Sequence, residues 1–395
     1  MAGKKDGGSG RKRRAATEVV LAGRDPGEQH GFVNTPIYRG STVLSPTVAD
    51  FQGRKQRFVY GRRGTPTTEA LATAITALEG GAGTALTSSG LSAITTAFMS
   101  VVRAGDHVLV ADTVYGPNRH FCDTILKGFG VETTYYDPLI GAGIAALFRP
   151  NTRAVFLESP GSLSFEMQDV AAIAGEAKKR SATVLMDNTW ATPVYFRPHD
   201  HGVDLSIQAG TKYLGGHADA NLGTISATAE YWPRVKETAG SLGLNPGPED
   251  VFLMLRGLRT LKVRLDHHMA SGLKVAHWLE GRPEILRVLH PALASHPQHA
   301  LWKRDFSGAC GLFGVVLKPR PQAAVNAFIE TLELFGIGAS WGGYESLIIP
   351  FDCTKIRTAT QWSPGGPAVR LHVGLEDPDD LIEDLGNGLK RLAVD

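Results

Sequence analysis

The sequence predicts an α/β protein in which a large domain, with a mostly parallel sheet covered by helices, precedes a smaller C-terminal α+β domain. From about residue 65, short apolar runs alternate with helical patterns. Runs that are apolar throughout are typical of parallel strands buried on both faces. A chain of 395 residues is also too long for one compact core.

The first helical pattern lies just after residue 65. Thr65 or Thr67 can cap this helix, with Pro66 in its first turn. The pair Gly80-Gly81 ends it. Apolar residues at helical spacing form the face that packs on the sheet: Leu71, Ala74, Ile75 and Leu78.

Four short apolar runs predict the central strands of the sheet. Helical stretches such as Asp169–Lys179 lie between the runs, as βαβ units require. The four runs are His107–Val110, Ala154–Leu157, Thr183–Met186 and Asp204–Ile207.

The pattern changes near residue 258. Val251–His268 predicts a long amphipathic helix whose basic residues form a solvated face. Gly311–Leu317 and Val369–Val373 then read as strands of an α+β unit. We therefore expect an N-terminal arm at 1–62 with residues 1–16 disordered, a large domain at 63–258 and a C-terminal domain at 259–395.

Charge and composition exclude several classes of function. The basic residues cluster in a Gly/Ser-rich tail over residues 1–14, which predicts a solvated leader and not a nucleic-acid site. No secretory h-region follows this tail, and no run of 18 apolar residues predicts a membrane span. The histidines show no metal-binding spacing, so no metal site is expected. The chain has Cys122, Cys310 and Cys353, read as buried thiols of a protein in a reducing compartment, the cytoplasm.

Two residues at the ends of neighbouring apolar runs predict the chemistry. Asp187 closes the run Thr183–Met186, and Lys212 follows the run Asp204–Ile207. Parallel strands place their carboxyl ends at the same edge of the sheet, where ligands bind. A lysine amine that forms a Schiff base and a carboxylate that keeps a ring nitrogen protonated are what pyridoxal 5'-phosphate (PLP) needs.

A phosphate group needs a cradle, and Ser88-Ser89-Gly90 offers one at the start of a helix. The exposed amides of a first helical turn and the helix dipole favour an anion there. The sequence has neither a P-loop nor a dinucleotide fingerprint after a first strand, so nucleotide binding is not supported.

Two further residues have both a functional and an ordinary structural interpretation. Tyr115 follows the strand His107–Val110, where it can stack on a flat cofactor or simply pack as a core tyrosine. Arg370 lies on the polar side of the strand Val369–Val373. It can clamp a substrate carboxylate with two parallel hydrogen bonds, or form a surface ion pair.

Six segments in order resemble the Cys/Met-metabolism PLP enzymes of fold type I, and within them the bacterial cystathionine β-lyase branch. The resemblance covers nearly the whole chain beyond about residue 20. The segments are Phe58–Thr65, Phe156–Gly161, Asp187–Trp190, Thr211–Tyr213, Ser340–Leu347 and Arg370–Asp377.

The resemblance implies how PLP is held. Lys212 carries the cofactor, Asp187 pairs with its ring nitrogen and Tyr115 stacks on the ring. The phosphate is held by Gly90, Leu91 and Thr211. Much of the family has a hydroxyl residue two places before this threonine, whereas this chain has Ala209, so one phosphate hydrogen bond must come from elsewhere.

The resemblance also implies a substrate and a partner. Arg370, Ser340 and Trp341 hold the α-carboxylate of a sulfur amino acid. Tyr60 and Arg62 reach the phosphate of a neighbouring subunit, which implies a homo-oligomer, a tetramer built from dimers that share active sites.

The implied activity is a PLP-dependent carbon–sulfur lyase of methionine biosynthesis. It cleaves L-cystathionine to homocysteine, pyruvate and ammonia, with Lys212 as base and Tyr115 assisting, and other cysteine S-conjugates are further substrates. Trp341 and Tyr344, in Ser-Trp-Gly-Gly-Tyr, favour this β-lyase branch. A γ-lyase or γ-replacement enzyme of the same family and a non-catalytic PLP-binding regulatory protein are the alternatives.

Overall fold

The computed structural model describes residues 13–393, and it contains two separate β-sheets. This arrangement confirms the predicted α/β class with a second, smaller sheet. The first sheet has seven strands: β1 (Gly83–Thr87), β2 (His107–Ala111), β3 (Glu132–Tyr136), β4 (Thr152–Glu158), β5 (Thr183–Asp187), β6 (Leu205–Ala209) and β7 (Gly223–Ala227).

The strand order of this sheet is β1-β7-β6-β5-β4-β2-β3. Strands β2 to β6 run parallel to one another, while β7 is antiparallel to both β1 and β6. The sheet is therefore mostly parallel, as predicted. Its parallel centre is nearly free of exposed side chains, which explains why β2, β4 and β5 read as continuous apolar runs.

Helices cover the large sheet. The helix predicted after residue 65 begins at Pro66, capped by the Thr65 hydroxyl, which accepts a hydrogen bond from the Thr68 amide at 3.3 Å. It ends at Gly80, whose φ of 76° suits a residue without a Cβ. The helices up to residue 241 are α1 (Ala15–Leu21), α2 (Val48–Gly53), α3 (Pro66–Glu79), α4 (Gly90–Val101), α5 (Gly116–Phe121), α6 (Val170–Lys178), α7 (Thr192–Tyr195) and α8 (Trp232–Ser241).

One helix of 33 residues, α9 (Pro248–Glu280), joins the two sheets. The predicted boundary at residue 258 falls inside this continuous helix. Its N-terminal part packs in the core of the large sheet, and Val275, Ala276 and Leu279 pack in the core of the small one. The sequence pattern at Val251–His268 is thus the middle of a longer element, and the domain limits stay predictions.

The second sheet lies in the C-terminal part and has the strand order β10-β11-β12-β9-β8. Its pairs are antiparallel except β10 with β11. The strands are β8 (Ile285–Leu289), β9 (Leu312–Leu317), β10 (Gly336–Ile337), β11 (Leu347–Phe351) and β12 (Ala368–His372). The remaining helices are α10 (His299–Asp305), α11 (Gln322–Thr331) and α12 (Pro378–Leu389).

The N-terminal arm packs its helix α1 against α3 and α9. Residues 1–12, most of the leader predicted to be disordered, lie outside the described residues. Ala15 and Ala16, predicted as disordered too, instead begin α1, because Val19 is buried against the core. The Arg259 guanidinium also donates hydrogen bonds to the carbonyls of Val19 and Ala22 at 3.0 and 2.8 Å.

None of the described helices combines the length and the apolar character that crossing a lipid bilayer would require. The longest described helix, α9, carries charged residues along its length, and these charges explain why it does not qualify. All three cysteines are buried and unpaired in the described part of the chain, as expected of small apolar side chains.

Candidate active site

A cavity of about 300 Å³ opens at the carboxyl ends of β4, β5 and β6. The parallel register pairs Glu158 with Asp187 and Asp187 with Ile207, so these strands end side by side. Nine of the eleven predicted site residues line the cavity: Gly90, Leu91, Tyr115, Asp187, Thr211, Lys212, Ser340, Trp341 and Arg370. The C-terminal domain therefore supplies one wall and the large sheet the other.

Lys212 lies in a tight turn after β6. Its backbone amide donates to the Ala209 carbonyl at 3.0 Å, and its side-chain amine donates to the Ser340 hydroxyl at 2.5 Å. The pKa of the amine is lowered to about 8, chiefly by burial and secondly by the Arg370 guanidinium, while Asp187 opposes the shift. An amine with this pKa is partly uncharged near neutral pH, as a nucleophile or base must be.

Arg264 of α9 holds the turn that contains Lys212 in place through hydrogen bonds. The guanidinium donates to the carbonyls of Tyr213 at 2.8 Å and Gly257 at 2.7 Å. Arg264 is only 6% exposed, so the prediction of a wholly solvated basic face on this helix was wrong at this residue. Helical spacing alone cannot distinguish a guanidinium that donates hydrogen bonds to buried carbonyls from one that is solvated by water.

Asp187 faces the cavity from the end of β5. The Thr189 amide donates to one carboxyl oxygen at 2.9 Å, and the Thr189 hydroxyl accepts from the Ala209 amide at 2.9 Å. Burial raises the pKa of Asp187, while Thr189 and the Lys212 cation act against that rise. A cationic group above the carboxyl would stabilise its charged form.

Tyr115 stands at the mouth of the cavity, where 44% of its surface is exposed. Its backbone amide donates to the Glu158 carboxyl group at 2.7 Å. Burial and the neighbouring Glu158 and Asp187 raise the pKa of the phenol. The hydroxyl therefore stays protonated at neutral pH and acts as a proton donor more readily than as a base.

The predicted phosphate cradle is the start of α4. The Ser89 hydroxyl caps this helix by accepting from the Ser92 amide at 3.1 Å. A Cβ at Gly90 would stand 2.5 Å from the Ala209 Cβ, so the close approach of the two turns requires glycine. Ala209 thus packs against the cradle, and it supplies no hydroxyl. The Thr211 hydroxyl accepts from the Leu222 amide at 3.1 Å and donates to the Leu222 carbonyl at 3.4 Å, so it would have to turn its proton from that long hydrogen bond to bind a phosphate.

Arg370 projects into the cavity from β12 and is 9% exposed. Its guanidinium donates to the Ser340 carbonyl at 3.0 Å, and among residues 13–393 it forms no ion pair with a carboxylate. Burial lowers its pKa to about 10. A nearly buried guanidinium without an anion is the arrangement that a ligand carboxylate would complete. Ser340, at a φ of 132°, and Trp341, whose ring centre is 5.5 Å from the Lys212 amine, complete this wall.

Tyr60 and Arg62 lie outside the cavity of their own chain. Tyr60 is 45% exposed, and the Arg62 guanidinium donates to the Gly240 carbonyl at 2.7 Å. Their predicted contact with a neighbouring subunit stays a prediction, because a single chain has no such subunit.

The cavity fits PLP in each part that this structure tests. The glycine at the start of α4, the buried Asp187 carboxyl group and the Lys212 amine of lowered pKa all line this one cavity. PLP carries a phosphate, a positively charged ring nitrogen and an aldehyde. The helix start, the carboxyl group and the amine can bind these three groups in turn.

Comparison with known proteins supports the same chemistry. The family profile of "Cys/Met metabolism PLP-dependent enzyme" matches residues 16–390. The chain belongs to this family. It is a PLP-dependent enzyme with the fold that the resemblance implied.

Individual relatives match over nearly their whole lengths. A protein of Rhizobium johnstonii with a provisional cystathionine beta-lyase name is 54% identical over 96% of both chains. The cystathionine beta-lyase MetC of Escherichia coli is 43% identical over 96% of this chain and 99% of its own. Among solved structures, MetB of Corynebacterium glutamicum superposes with a TM-score of 0.89 at 30% identity, covering 96% of this chain and 98% of that one.

Proposed function

We propose that the protein is a carbon–sulfur β-lyase that converts L-cystathionine and water to homocysteine, pyruvate and ammonia. The observation that carries the proposal is the convergence of Lys212, Asp187 and Arg370 on one cavity. The names of the relatives from Rhizobium johnstonii and Escherichia coli support the choice of substrate.

Arg370 sets the orientation of the substrate. Its buried guanidinium binds the α-carboxylate, while Ser340 and Trp341 close the same wall. A carboxylate bound there would place the substrate Cα on the side of the cavity where the Lys212 amine donates to the Ser340 hydroxyl at 2.5 Å. Fixing the substrate in this way removes the need to find the reactive geometry by chance.

Cofactor binding uses the opposite wall. Lys212 would hold PLP covalently, Asp187 would face its ring nitrogen, Tyr115 would lie against the ring, and the amides of Gly90 and Leu91 with the Thr211 hydroxyl would bind its phosphate. PLP, when bound, supplies an electron sink for the negative charge that develops at the substrate Cα.

Proton transfer falls to two residues. The Lys212 amine, with its pKa lowered to about 8, takes the Cα proton. The Tyr115 hydroxyl, kept protonated by its raised pKa, donates a hydrogen bond toward the departing sulfur.

The products of L-cystathionine decide between β- and γ-cleavage. We expect pyruvate and homocysteine in equal amounts from the PLP-loaded enzyme, measured by coupled reduction of the keto acid and by thiol titration. Release of 2-oxobutyrate and cysteine would instead indicate a γ-lyase. The absence of any keto acid from cystathionine, cystine and other cysteine S-conjugates would favour a non-catalytic regulatory protein.

Assembly into dimers that share active sites, paired into a tetramer, is part of the proposal. The arm supports it through apolar side chains that a single chain leaves exposed by 72–84%: Phe32, Leu44, Val48 and Phe51. A second copy of the chain would cover them. Tyr60 and Arg62, on the same arm, would then reach the phosphate in the partner. The buried, unpaired cysteines support a cytoplasmic location.

Subunit mixing tests the shared site. Arg62→Ala and Lys212→Ala proteins are expected to be nearly inactive alone. After dissociation together and reassembly, about a quarter of wild-type activity should return, because half of the dimers are hybrids and each has one complete site. Two Lys212→Ala batches mixed in the same way serve as the control. No recovery, or full activity of Arg62→Ala alone, would show that each chain contains a complete site.

A further inference from the structure

Glu158 lies in the cavity but has no assigned role. It is the last residue of β4, and the parallel register pairs it with Asp187 on β5. Paired residues of neighbouring strands point to the same face of a sheet, so the two carboxyl groups are neighbours. Both line the cavity that would hold PLP.

Two neighbouring carboxyl groups enclosed by protein do not both ionise, because each charge opposes the other. Asp187 has the better support for a negative charge, since Thr189 donates to it and the Lys212 cation faces it. Glu158 accepts a hydrogen bond from the Tyr115 amide at 2.7 Å and interacts with the Ser162 hydroxyl, but no cation that the structure describes is among the groups that shift its pKa. The shared proton therefore belongs on Glu158.

We propose that Glu158 is a positioning residue that fixes the backbone of Tyr115 and, as a neutral carboxylic acid, leaves the negative charge of the pair on Asp187. It acts through Tyr115 and Asp187 without touching the substrate. The inference rests on the roles proposed for those two residues. Burial and the Asp187 charge both hold the pKa of Glu158 well above its usual value, which agrees with this assignment.

Glu158→Gln and Glu158→Ala separate the two parts of the role. Glutamine is neutral, has the same shape and can still accept from the Tyr115 amide, so the PLP dissociation constant should stay within about threefold of wild type. Alanine leaves the amide without its partner and should weaken PLP binding by about tenfold or more. Both are measured by titrating the apoenzyme with PLP. A loss in Glu158→Gln of about tenfold or more, as large as that expected of Glu158→Ala, would overturn the proposal, and this variant decides if Glu158→Ala does not fold.

Alkaline pH provides a second readout. As pH rises, Glu158 loses its proton and places a second negative charge beside Asp187, so the pH dependence of PLP affinity in the wild type should contain a component from Glu158. The Glu158→Gln variant should lack this component. Both proteins share the titrations of Lys212, Tyr115 and Arg370, the other ionisable groups that line the cavity, and the difference therefore isolates Glu158. Identical pH profiles would contradict a titrating Glu158.

The proton itself is visible by infrared spectroscopy. The carbonyl stretch of a protonated carboxylic acid should appear in the difference spectrum between wild type and Glu158→Gln, and its absence would overturn the assignment. Asp187→Asn separates this inference from the proposed site. If Asp187→Asn leaves PLP binding unchanged, the site assignment is wrong; if it alone weakens binding as expected while Glu158→Gln fails its tests, only the role of Glu158 is wrong.

Discussion

Replacing Lys212 with alanine is expected to lower kcat/KM for L-cystathionine by at least about 10³-fold, because one side chain both anchors the cofactor and moves the Cα proton. The loss should be similar in Lys212→Arg, which keeps a positive charge but provides neither a nucleophile nor a base at neutral pH. Pyruvate release with saturating PLP gives the rate, and the absorbance of the protein-bound cofactor reports the covalent link.

Chemical labelling locates that link. Reduction of the PLP-loaded enzyme with borohydride should fix the cofactor to the peptide that contains Lys212, and the label should disappear in Lys212→Ala. The matched control is Lys127→Ala, at an exposed lysine outside the cavity, which should retain label and activity. A label on any other lysine would contradict the assignment of the site.

Sequence patterns were sufficient to predict the positions of residues that directly follow a strand. Asp187 and Lys212 follow apolar runs, and parallel strands bring such positions to one edge of the sheet, where the structure places both residues at one cavity. The Thr65 cap and the Ser89-Gly90 helix start were also recognisable, because capping depends on residues three apart along the chain. Local rules therefore recovered the core of the site.

Other features depend on contacts that are distant in sequence. The antiparallel direction of β7 has no signature, since an apolar strand reads the same in either direction. Arg264 resembles its solvated neighbours until the carbonyls of Tyr213 and Gly257 are known. Glu158 stands at the end of an apolar run, and only the register with Asp187 shows that two carboxyl groups share one enclosure. Long-range register is the information that a single sequence lacks.

Asp187→Asn is expected to lower kcat/KM by about 10² to 10³-fold while leaving the fold intact. Asparagine keeps the oxygen that accepts from the Thr189 amide at 2.9 Å but removes the negative charge. Without that charge, the ring nitrogen of PLP is no longer held protonated and the cofactor withdraws electrons less strongly. The steady-state rate of pyruvate release and the PLP dissociation constant measure the two effects.

Stability separates this loss from misfolding. Burial raises the pKa of Asp187, so the apoenzyme gains little from the ionised group, and its melting temperature should not fall in Asp187→Asn. Asp204→Asn is the matched control: this carboxylate accepts from the Val184 amide at 2.8 Å and lies outside the cavity, so its replacement should leave kcat/KM within a few-fold of wild type.

PLP methylated at the ring nitrogen carries a permanent positive charge and should restore part of the activity of Asp187→Asn. Failure of that analogue to help, together with an unchanged rate in the unmethylated complex, would mean that Asp187 does not act through the charge of the ring.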